Sequence, residues 1–158
     1  MKVKSSDVKG NSYDVDTSQL TWRPSAYAMI VAGDKILLSK QQGKYHLVGG
    51  GLHLGESPEQ AVIREVKEES GLDVDRPHLL GCKSTFFTYL GDDNEPVHVQ
   101  SLLFYFSVRL LGGELSSAGL MPDEAAAGQE AVWEDLAQMD HLEVGSTVDW
   151  RPVAKTLL

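Results

Sequence analysis

The sequence predicts an α/β or α+β fold with a mixed β-sheet. Several short β-prone runs precede one well-delimited helix, two long β-prone runs follow it, and helix-prone material comes last. The length of 158 residues suits one domain with its own core, so we expect residues 1–158 to form a single domain. No internal repeat or low-complexity tract interrupts this pattern.

The segments before the helix are short and strand-like. Residues 1–22 are polar and weakly patterned, so they either add a short edge strand or remain flexible. The apolar runs 26–32 and 35–40 are joined by a Gly-Asp pair, which predicts a β-hairpin. A Gln-Gly turn then leads into a short strand at 45–48, which ends in glycines.

The segment 57–70 carries the signals of a complete helix. Ser57 is a favourable N-cap, Pro58 suits the first helical position, and Gln60 completes a capping box. Gly71 predicts a left-handed C-terminal stop. On a helical wheel three aliphatic residues share one arc and are expected to face the core: Val62, Ile63 and Val66.

The second half of the chain is predicted to contain longer strands. Residues 79–90 and 97–111 are rich in aromatic and branched side chains, which favours two long strands with a turn between them. The connection 112–130 is longer than most loops of compact domains, so it is either a functional lid or partly helical. We expect one more short strand at 131–133 and a terminal helix after Asp149.

Composition excludes several classes of function. The net charge of -9 argues against duplex nucleic acid or an anionic membrane as a partner, and it favours a cation such as a divalent metal ion. The single cysteine, Cys82, excludes an internal disulfide and a thiolate metal cluster. Since the sequence shows no apolar run suited to a signal peptide or a membrane span, we expect a cytoplasmic protein.

Three carboxylates crowd one side of the predicted helix. Glu65, Glu68 and Glu69 are spaced so that they fall on one arc, directly beside the apolar arc. Like charges at these spacings repel each other, and the repulsion grows near low-dielectric protein. The cluster therefore indicates either a solvated acidic face or a site for a cation.

A glycine-rich loop, residues 48–57, leads directly into this helix. Glycine permits close approach of the backbone to a ligand, and a helix N-terminus attracts phosphate. The loop is not a P-loop, because Glu56 follows the last glycine where lysine is required, and Leu54 replaces the third glycine of the dinucleotide-binding pattern. These differences disfavour a P-loop ATPase and a nicotinamide enzyme.

Residues 50–72 resemble the signature of the Nudix (MutT-like) hydrolases. From Gly50 the chain reads G, five residues, E, seven residues and then REVKEESGL, which matches every fixed position of G-x5-E-x7-R-E-U-x-E-E-x-G-U, where U is aliphatic. The resemblance implies an α/β/α sandwich around a mixed sheet. It also implies hydrolysis of a phosphoanhydride bond in a nucleoside diphosphate linked to another group, with Mg²⁺ or Mn²⁺ as cofactor.

The resemblance also implies roles for individual residues. Four of them would hold the metal, three as catalytic carboxylates and one through its carbonyl group: Glu65, Glu68, Glu69 and Gly50. Glu56 and Arg64 would brace the loop against the helix. The general base is open between Glu65 and Glu69 of the helix and three acids of the long connection: Asp123, Glu124 and Glu130.

The substrate contacts are less defined. Four residues are candidates: Arg23, Gly51, His53 and Tyr89. Arg23 and His53 either contact phosphate or face water, and Tyr89 either stacks on a base or belongs to the core. The substrate is open between nucleoside triphosphates, nucleotide-sugars and dinucleoside polyphosphates. The alternative function is a catalytically silent nucleotide-binding or regulatory module of the same fold. Members of the family are often dimers, so a homodimer is also possible.

Overall fold

The computed structural model describes residues 1–91 and 93–157. Within them the strands are β1 (Lys2–Ser6), β2 (Ser12–Asp16), β3 (Leu20–Trp22), β4 (Ser25–Met29), β5 (Val31–Ala32), β6 (Lys35–Gln41), β7 (Lys44–His46), β8 (Val48–Gly51), β9 (Asp73–Leu90), β10 (Pro96–Gly112) and β11 (Glu130–Asp135). The α-helices are α1 (Pro58–Ser70), α2 (Pro122–Ala126) and α3 (Arg151–Ala154). Short 3-10 segments lie at Thr17–Gln19, Leu136–His141 and Lys155–Leu157.

The strands form two sheets. A seven-stranded mixed sheet has the order β2-β1-β9-β10-β4-β8, and β3 also pairs with β10. The long strands β9 and β10 are antiparallel, whereas β4 is parallel to β10 and antiparallel to β8. A four-stranded sheet contains β11, β6 and β5, and β7 also pairs with β6. This topology places the glycine-rich strand β8 at an edge of the larger sheet.

The two faces of the larger sheet bury different side chains. Ala28 and Phe106 pack on the side of α1, whereas Met29 and Tyr105, their neighbours in β4 and β10, pack with the C-terminal helical segments. Helix α1 therefore covers one face, and Leu136–His141 together with α3 covers the other. The predicted α/β/α sandwich with a mixed sheet is confirmed.

The apolar run 26–32 divides between the two sheets. Its first part lies in β4 and pairs with β8 and β10, whereas β5 pairs with β6 in the smaller sheet. The predicted hairpin is therefore confirmed for Val31–Ala32, whereas the first part of the run pairs in the other sheet. The chain changes sheets at Ile30, whose carbonyl group accepts a hydrogen bond from the N–H of Leu37 at 2.9 Å.

The polar N-terminus forms an edge hairpin of the larger sheet. β1 and β2 are antiparallel, and β1 joins β9 through the pair formed by Ser6 and Phe87. The hydroxyl groups of Ser5 and Thr88 lie 2.8 Å apart, and both side chains are buried. Of the two alternatives for this segment, the edge strand is the one observed.

The later elements agree with the predictions except in their bounds. β9 begins at Asp73 rather than 79, and the connection 112–130 is partly helical through α2. The short strand after the connection and the terminal helix are β11 and α3. In the described part of the chain, none of the helices combines the length and apolar character needed to cross a membrane.

Candidate active site

Helix α1 has the ends that its sequence predicts. The Ser57 hydroxyl accepts a hydrogen bond from the Gln60 N–H at 3.3 Å, and the Gln60 side chain accepts one from the Ser57 N–H at 2.8 Å. Gly71 adopts a φ of 76°, and its N–H donates to the carbonyl group of Lys67. Both ends are built from neighbours in sequence, which is why local patterns predict them.

The buried side of α1 differs from the predicted one. Val62 and Val66 are fully buried, but the prediction for Ile63 is wrong, because it is 37% exposed. Two of the clustered acids are buried as well, with Glu65 8% and Glu69 5% exposed. These acids lie inward where α1 packs against β8, and Gly50 of that strand leaves space for the Glu65 carboxylate.

The glycines of β8 bring bare backbone up to these carboxylates. A Cβ atom at Gly50 would lie 2.8 Å from Oε1 of Glu65, so only glycine lets that carboxylate sit against the strand. A Cβ atom at Gly49 would instead meet the backbone of β4, 2.7 Å from the Cα of Tyr27. Gly50 therefore admits a carboxylate, whereas Gly49 permits strand pairing.

We expect Gly49→Ala and Gly50→Ala to affect stability very differently. Gly49 has a φ of 145° and faces backbone that cannot yield, so alanine should lower the free energy of unfolding by about 3 kcal/mol or more. At Gly50 the neighbour is the end of a flexible side chain, so the loss should stay near about 1 kcal/mol, with Glu65 displaced. Urea unfolding followed by circular dichroism measures both, and equal losses would contradict this assignment.

Glu69 is held by one donor on each carboxylate oxygen. The N–H of Gly49 donates to Oε2 at 3.1 Å, and the side-chain amide of Gln129 donates to Oε1 at 2.9 Å. Burial raises the pKa of Glu69 to about 8, the Gly49 hydrogen bond opposes the rise, and the charge of Glu65 adds to it. Glu69 is therefore mostly protonated at neutral pH unless a cation lies beside it.

Arg64 joins the glycine loop to two of the acids. Its guanidinium donates to both carboxylate oxygens of Glu56, at 2.7 and 2.9 Å, and to the carbonyl group of Gly51 at 3.1 Å. Its Nη1 also donates to Glu65 at 2.8 Å and to Glu68 at 2.9 Å. The hydrogen bond from Arg64 lowers the pKa of Glu56 to about 2, so this ion pair persists at neutral pH.

Glu65 and Glu68 have different surroundings. Burial raises the pKa of Glu65, and the hydrogen bond from Arg64 opposes that rise. The Glu68 side chain is 41% exposed and pairs with Arg64. Within residues 1–91 and 93–157, no three acid, histidine or cysteine side chains are already gathered into a metal-binding group.

The donor set nevertheless fits Mg²⁺ or Mn²⁺ by chemistry. Carboxylate and carbonyl oxygens are the hard ligands that these ions prefer, and Mg²⁺ typically keeps several waters rather than filling an all-protein cage. The absence of a side chain at Gly50 brings the Glu65 carboxylate against the backbone of the glycine loop, so carboxylate and backbone oxygen ligands are available in one place. Arg64 donates hydrogen bonds to both Glu65 and Glu68, so both of these hydrogen bonds would have to lengthen or break for the two acids to share an ion.

Among the acids of the long connection, Glu124 is the best placed. It is partly exposed in α2, and its charge raises the pKa of both Glu65 and Glu69. Asp123 is exposed in the same short helix, and Glu130 is exposed at the start of β11. The structure therefore brings one of the three candidate loop acids toward the buried carboxylates.

A cavity with aromatic walls lies next to the glycine strand. The guanidinium of Arg23 would be 3.5 Å from a Cβ atom at Gly51, so it lies against that glycine. Arg23 also lines a cavity of about 200 Å³. The cavity has four aromatic residues in its wall: Tyr27, Phe87, Tyr105 and Trp150. Arg23 thus connects the glycine loop with this cavity.

The other two substrate candidates are outside this cavity wall. Tyr89 is 46% exposed and lines a neighbouring groove with Val8 and Tyr13 of the β1–β2 hairpin. The His53 side chain is exposed, and its backbone N–H donates to Glu56 at 2.9 Å. The structure therefore brings Arg23 and Gly51 together but does not group Tyr89 or His53 with them.

Gln129 and Trp150 reach the site from distant segments. Gln129 contacts an acid 60 positions earlier in the chain, and Trp150 comes from the C-terminal segment to line the aromatic cavity. Nothing in the sequence pattern marks either residue. Both contacts depend on how the last third of the chain packs, which local propensities do not encode.

A model of the NUDIX domain family matches residues 21–155, which include the glycine loop, α1 and both long strands. The chain belongs to the NUDIX domain family. The resemblance of residues 50–72 to the Nudix signature is thereby confirmed. The Nudix match begins after the β1–β2 hairpin, which lies at the edge of the larger sheet.

Two relatives are similar to this chain over part of their length. An ADP-ribose pyrophosphatase from Methanocaldococcus jannaschii is 37% identical over 120 residues, covering 72% of this chain and 62% of that protein. The NAD-capped RNA hydrolase NudC from Pseudomonas aeruginosa is 32% identical over 96 residues, covering 58% of this chain and 31% of that protein. This chain thus spans less than two thirds of the length of either relative.

A solved structure is also similar to the fold of this chain. The mutator protein MutT from Bacillus halodurans superposes with a TM-score of 0.61 at 25% identity. The superposition covers 77% of this chain and 74% of the MutT chain. The shared architecture therefore extends well beyond the signature helix and its loop.

Proposed function

We propose that this protein is a metal-dependent pyrophosphohydrolase that cleaves a phosphoanhydride bond in a nucleoside diphosphate linked to another group. One observation carries the proposal: Glu65 and Glu69 are buried beside the bare backbone of β8. Arg64 compensates the charge of Glu65, but both donors to Glu69 are uncharged, so the ionised form of Glu69 is unfavourable there unless a cation compensates it. The match of these acids to the Nudix signature supports a divalent cation as the source of that compensation.

The signature residues would have two roles: four would bind the metal ion, and two would fix the glycine loop on the helix. Four residues would bind Mg²⁺ or Mn²⁺: Glu65, Glu68, Glu69 and, through its carbonyl group, Gly50. Such an ion, when bound, neutralises the pyrophosphate, activates water and stabilises the leaving oxygen. The Glu56–Arg64 pair fixes the loop on the helix, which would keep the Gly50 carbonyl group near the carboxylates.

Glu124 is the acid that we assign as acceptor of the proton from the attacking water. Glu69 is enclosed and held by two donors, whereas Glu124 is partly exposed, accepts one hydrogen bond from the N–H of Met121 at 2.9 Å, and can pass a proton to solvent. Glu124→Gln should therefore lower kcat and leave the Mn²⁺ affinity of the substrate-free protein near its original value. A kcat equal to that of the wild type would indicate that Glu65 or Glu69, and not Glu124, accepts this proton.

The aromatic cavity supports a nucleotide as the substrate. Stacking of a base on an aromatic side chain contributes about 1–3 kcal/mol, and four aromatic residues line this cavity. Arg23 lies between the cavity and Gly51, where it can pair with a phosphate of a nucleotide bound there. ADP-ribose and NAD-capped RNA, the compounds in the names of the two relatives, join nucleoside triphosphates, nucleotide-sugars and dinucleoside polyphosphates as candidates.

A substrate panel tests the proposed function. The protein is incubated with Mg²⁺ and each candidate, and products are separated by ion-exchange chromatography. We expect at least one substrate to be cleaved at a phosphoanhydride bond, with activity lost in EDTA and restored by Mg²⁺ or Mn²⁺. Nucleotide binding without product across the panel would favour the silent regulatory module instead.

A further inference from the structure

Gln129 contacts a buried acid of the Nudix helix from outside the Nudix signature. Its side-chain nitrogen lies 2.9 Å from Oε1 of Glu69, and Oε2 of the same carboxylate accepts the N–H of Gly49. A carboxylate has about four lone-pair positions, so two donors orient it and leave other positions for a ligand. The orientation of Glu69 is therefore set jointly by β8 and by the segment that carries Gln129.

That segment is itself attached to the end of α1. The N–H of Ser116 donates to the carbonyl group of Ser70 at 2.9 Å. Gly119 packs so closely that a Cβ atom there would lie 2.8 Å from the Cα of Glu68. The N–H of Gln129 donates to the carbonyl group of Glu124 at 3.1 Å, which ties Gln129 to α2. The segment that carries Gln129 is therefore packed against α1 rather than being a free loop.

The chemistry of an amide suits this position. A lysine would neutralise Glu69 and compete with a cation, and an acidic residue would repel it. Glutamine donates a hydrogen bond without changing the charge of the carboxylate. Groups that orient a metal-binding side chain in this way commonly change metal affinity or activity about 10–100-fold when they are removed.

We propose that Gln129 is a positioning residue, which orients the Glu69 carboxylate toward the metal ion. The inference rests on the proposed function and adds a residue that the signature does not contain. Gln129 touches neither substrate nor metal in this role, because it acts only through Glu69. The carboxylate of Glu69 then keeps one orientation before the metal binds, rather than being ordered by the metal.

The matched pair of variants Gln129→Met and Gln100→Met tests this role. Methionine keeps the length of glutamine but removes the donor, and the half-buried Gln100 side chain on β10 donates a comparable hydrogen bond to Ser84 at 3.5 Å. For Gln129→Met we expect kcat to fall roughly 10–100-fold and KM to change less than about twofold. The Mn²⁺ dissociation constant of the substrate-free protein, followed by Mn²⁺ electron paramagnetic resonance, should rise about tenfold. Gln100→Met should match the wild type in all three.

Several results would overturn the role of Gln129. Unchanged kcat and Mn²⁺ affinity in Gln129→Met would do so, as would a loss of kcat with unchanged Mn²⁺ affinity. If Gln129→Met does not fold, Gln129→Asn, which retains the amide one methylene short of Glu69, must show the same weakening of Mn²⁺ binding. If the wild type cleaves no substrate, the proposed function fails, but the comparison of Mn²⁺ affinities still decides the role of Gln129.

Discussion

Glu65→Gln, Glu68→Gln and Glu69→Gln are each expected to lower kcat at least about 100-fold at saturating Mg²⁺. Glutamine keeps the size of the side chain but removes a negative charge that would hold the cation. The loss should appear in kcat more than in KM, because the affected interactions develop as the phosphoanhydride bond breaks. Initial rates on the best substrate of the panel provide the measurement.

Glu59→Gln is the matched control for these three variants. Glu59 lies in the first turn of the same helix, its side chain is exposed, and it precedes the first of the three acids by more than one helical turn. Its variant should keep the activity of the wild type, and far-ultraviolet circular dichroism should show the same helix content in all four. Near-normal turnover in Glu69→Gln, with the protein folded, would remove the basis of the proposed metal site.

The ends of α1 could be predicted from the sequence, whereas its buried side could not. Ser57 and Gly71 act on backbone groups within one turn, so their effect does not depend on the rest of the fold. Which strip of the helix is buried depends on what packs against it. Hydrophobicity alone favours Ile63, but the side-chain-free surface of β8 lets Glu65 and Glu69 occupy the interior instead.

The limits of sequence prediction are the same for the sheet and for the site. The run 26–32 has one hydrophobic pattern, yet it serves two sheets because its two halves have different pairing partners. Likewise the signature predicts a set of acids, but Gln129 reaches them only through the docking of a segment far along the chain. Contacts that depend on long-range pairing leave no local periodicity to detect.

Without metal, the wild-type protein should lose stability as the pH rises from about 5 to 8. The pKa of Glu69 is about 8 in the folded protein against an ordinary value of 4.5. Below pH 4.5 the carboxyl group is protonated in both states, but above it the unfolded chain releases a proton that the folded chain retains, which favours unfolding. The cost grows by about 1.4 kcal/mol per pH unit and reaches on the order of 4 kcal/mol near pH 8.

Three other titratable groups also affect how stability depends on pH, but most of their contribution cancels when the wild type is compared with a Glu69 variant. The raised pKa of Glu65 acts with the same sign as that of Glu69. The lowered pKa of His46, caused by burial, acts with the opposite sign, and only up to about its ordinary pKa of 6.5. Glu56 stays ionised in both states above pH 5 and contributes no slope there. All three groups remain in a Glu69 variant, so subtraction of the two pH profiles removes most of their contribution.

Glu69→Gln should therefore be more stable than the wild type at pH 8 and no more stable at pH 5. Glutamine offers one acceptor oxygen to the two donors Gly49 and Gln129, which costs about 1 kcal/mol. At pH 8 the relieved ionisation penalty exceeds this loss and leaves a net gain of roughly 2–3 kcal/mol. Urea unfolding in EDTA at pH 5, 6.5 and 8 measures the crossing, and parallel pH profiles of the two proteins would show that the pKa of Glu69 is not raised in the folded state. Excess Mn²⁺ at pH 8 should reverse the order, because an ion bound only by the folded wild type stabilises it by mass action.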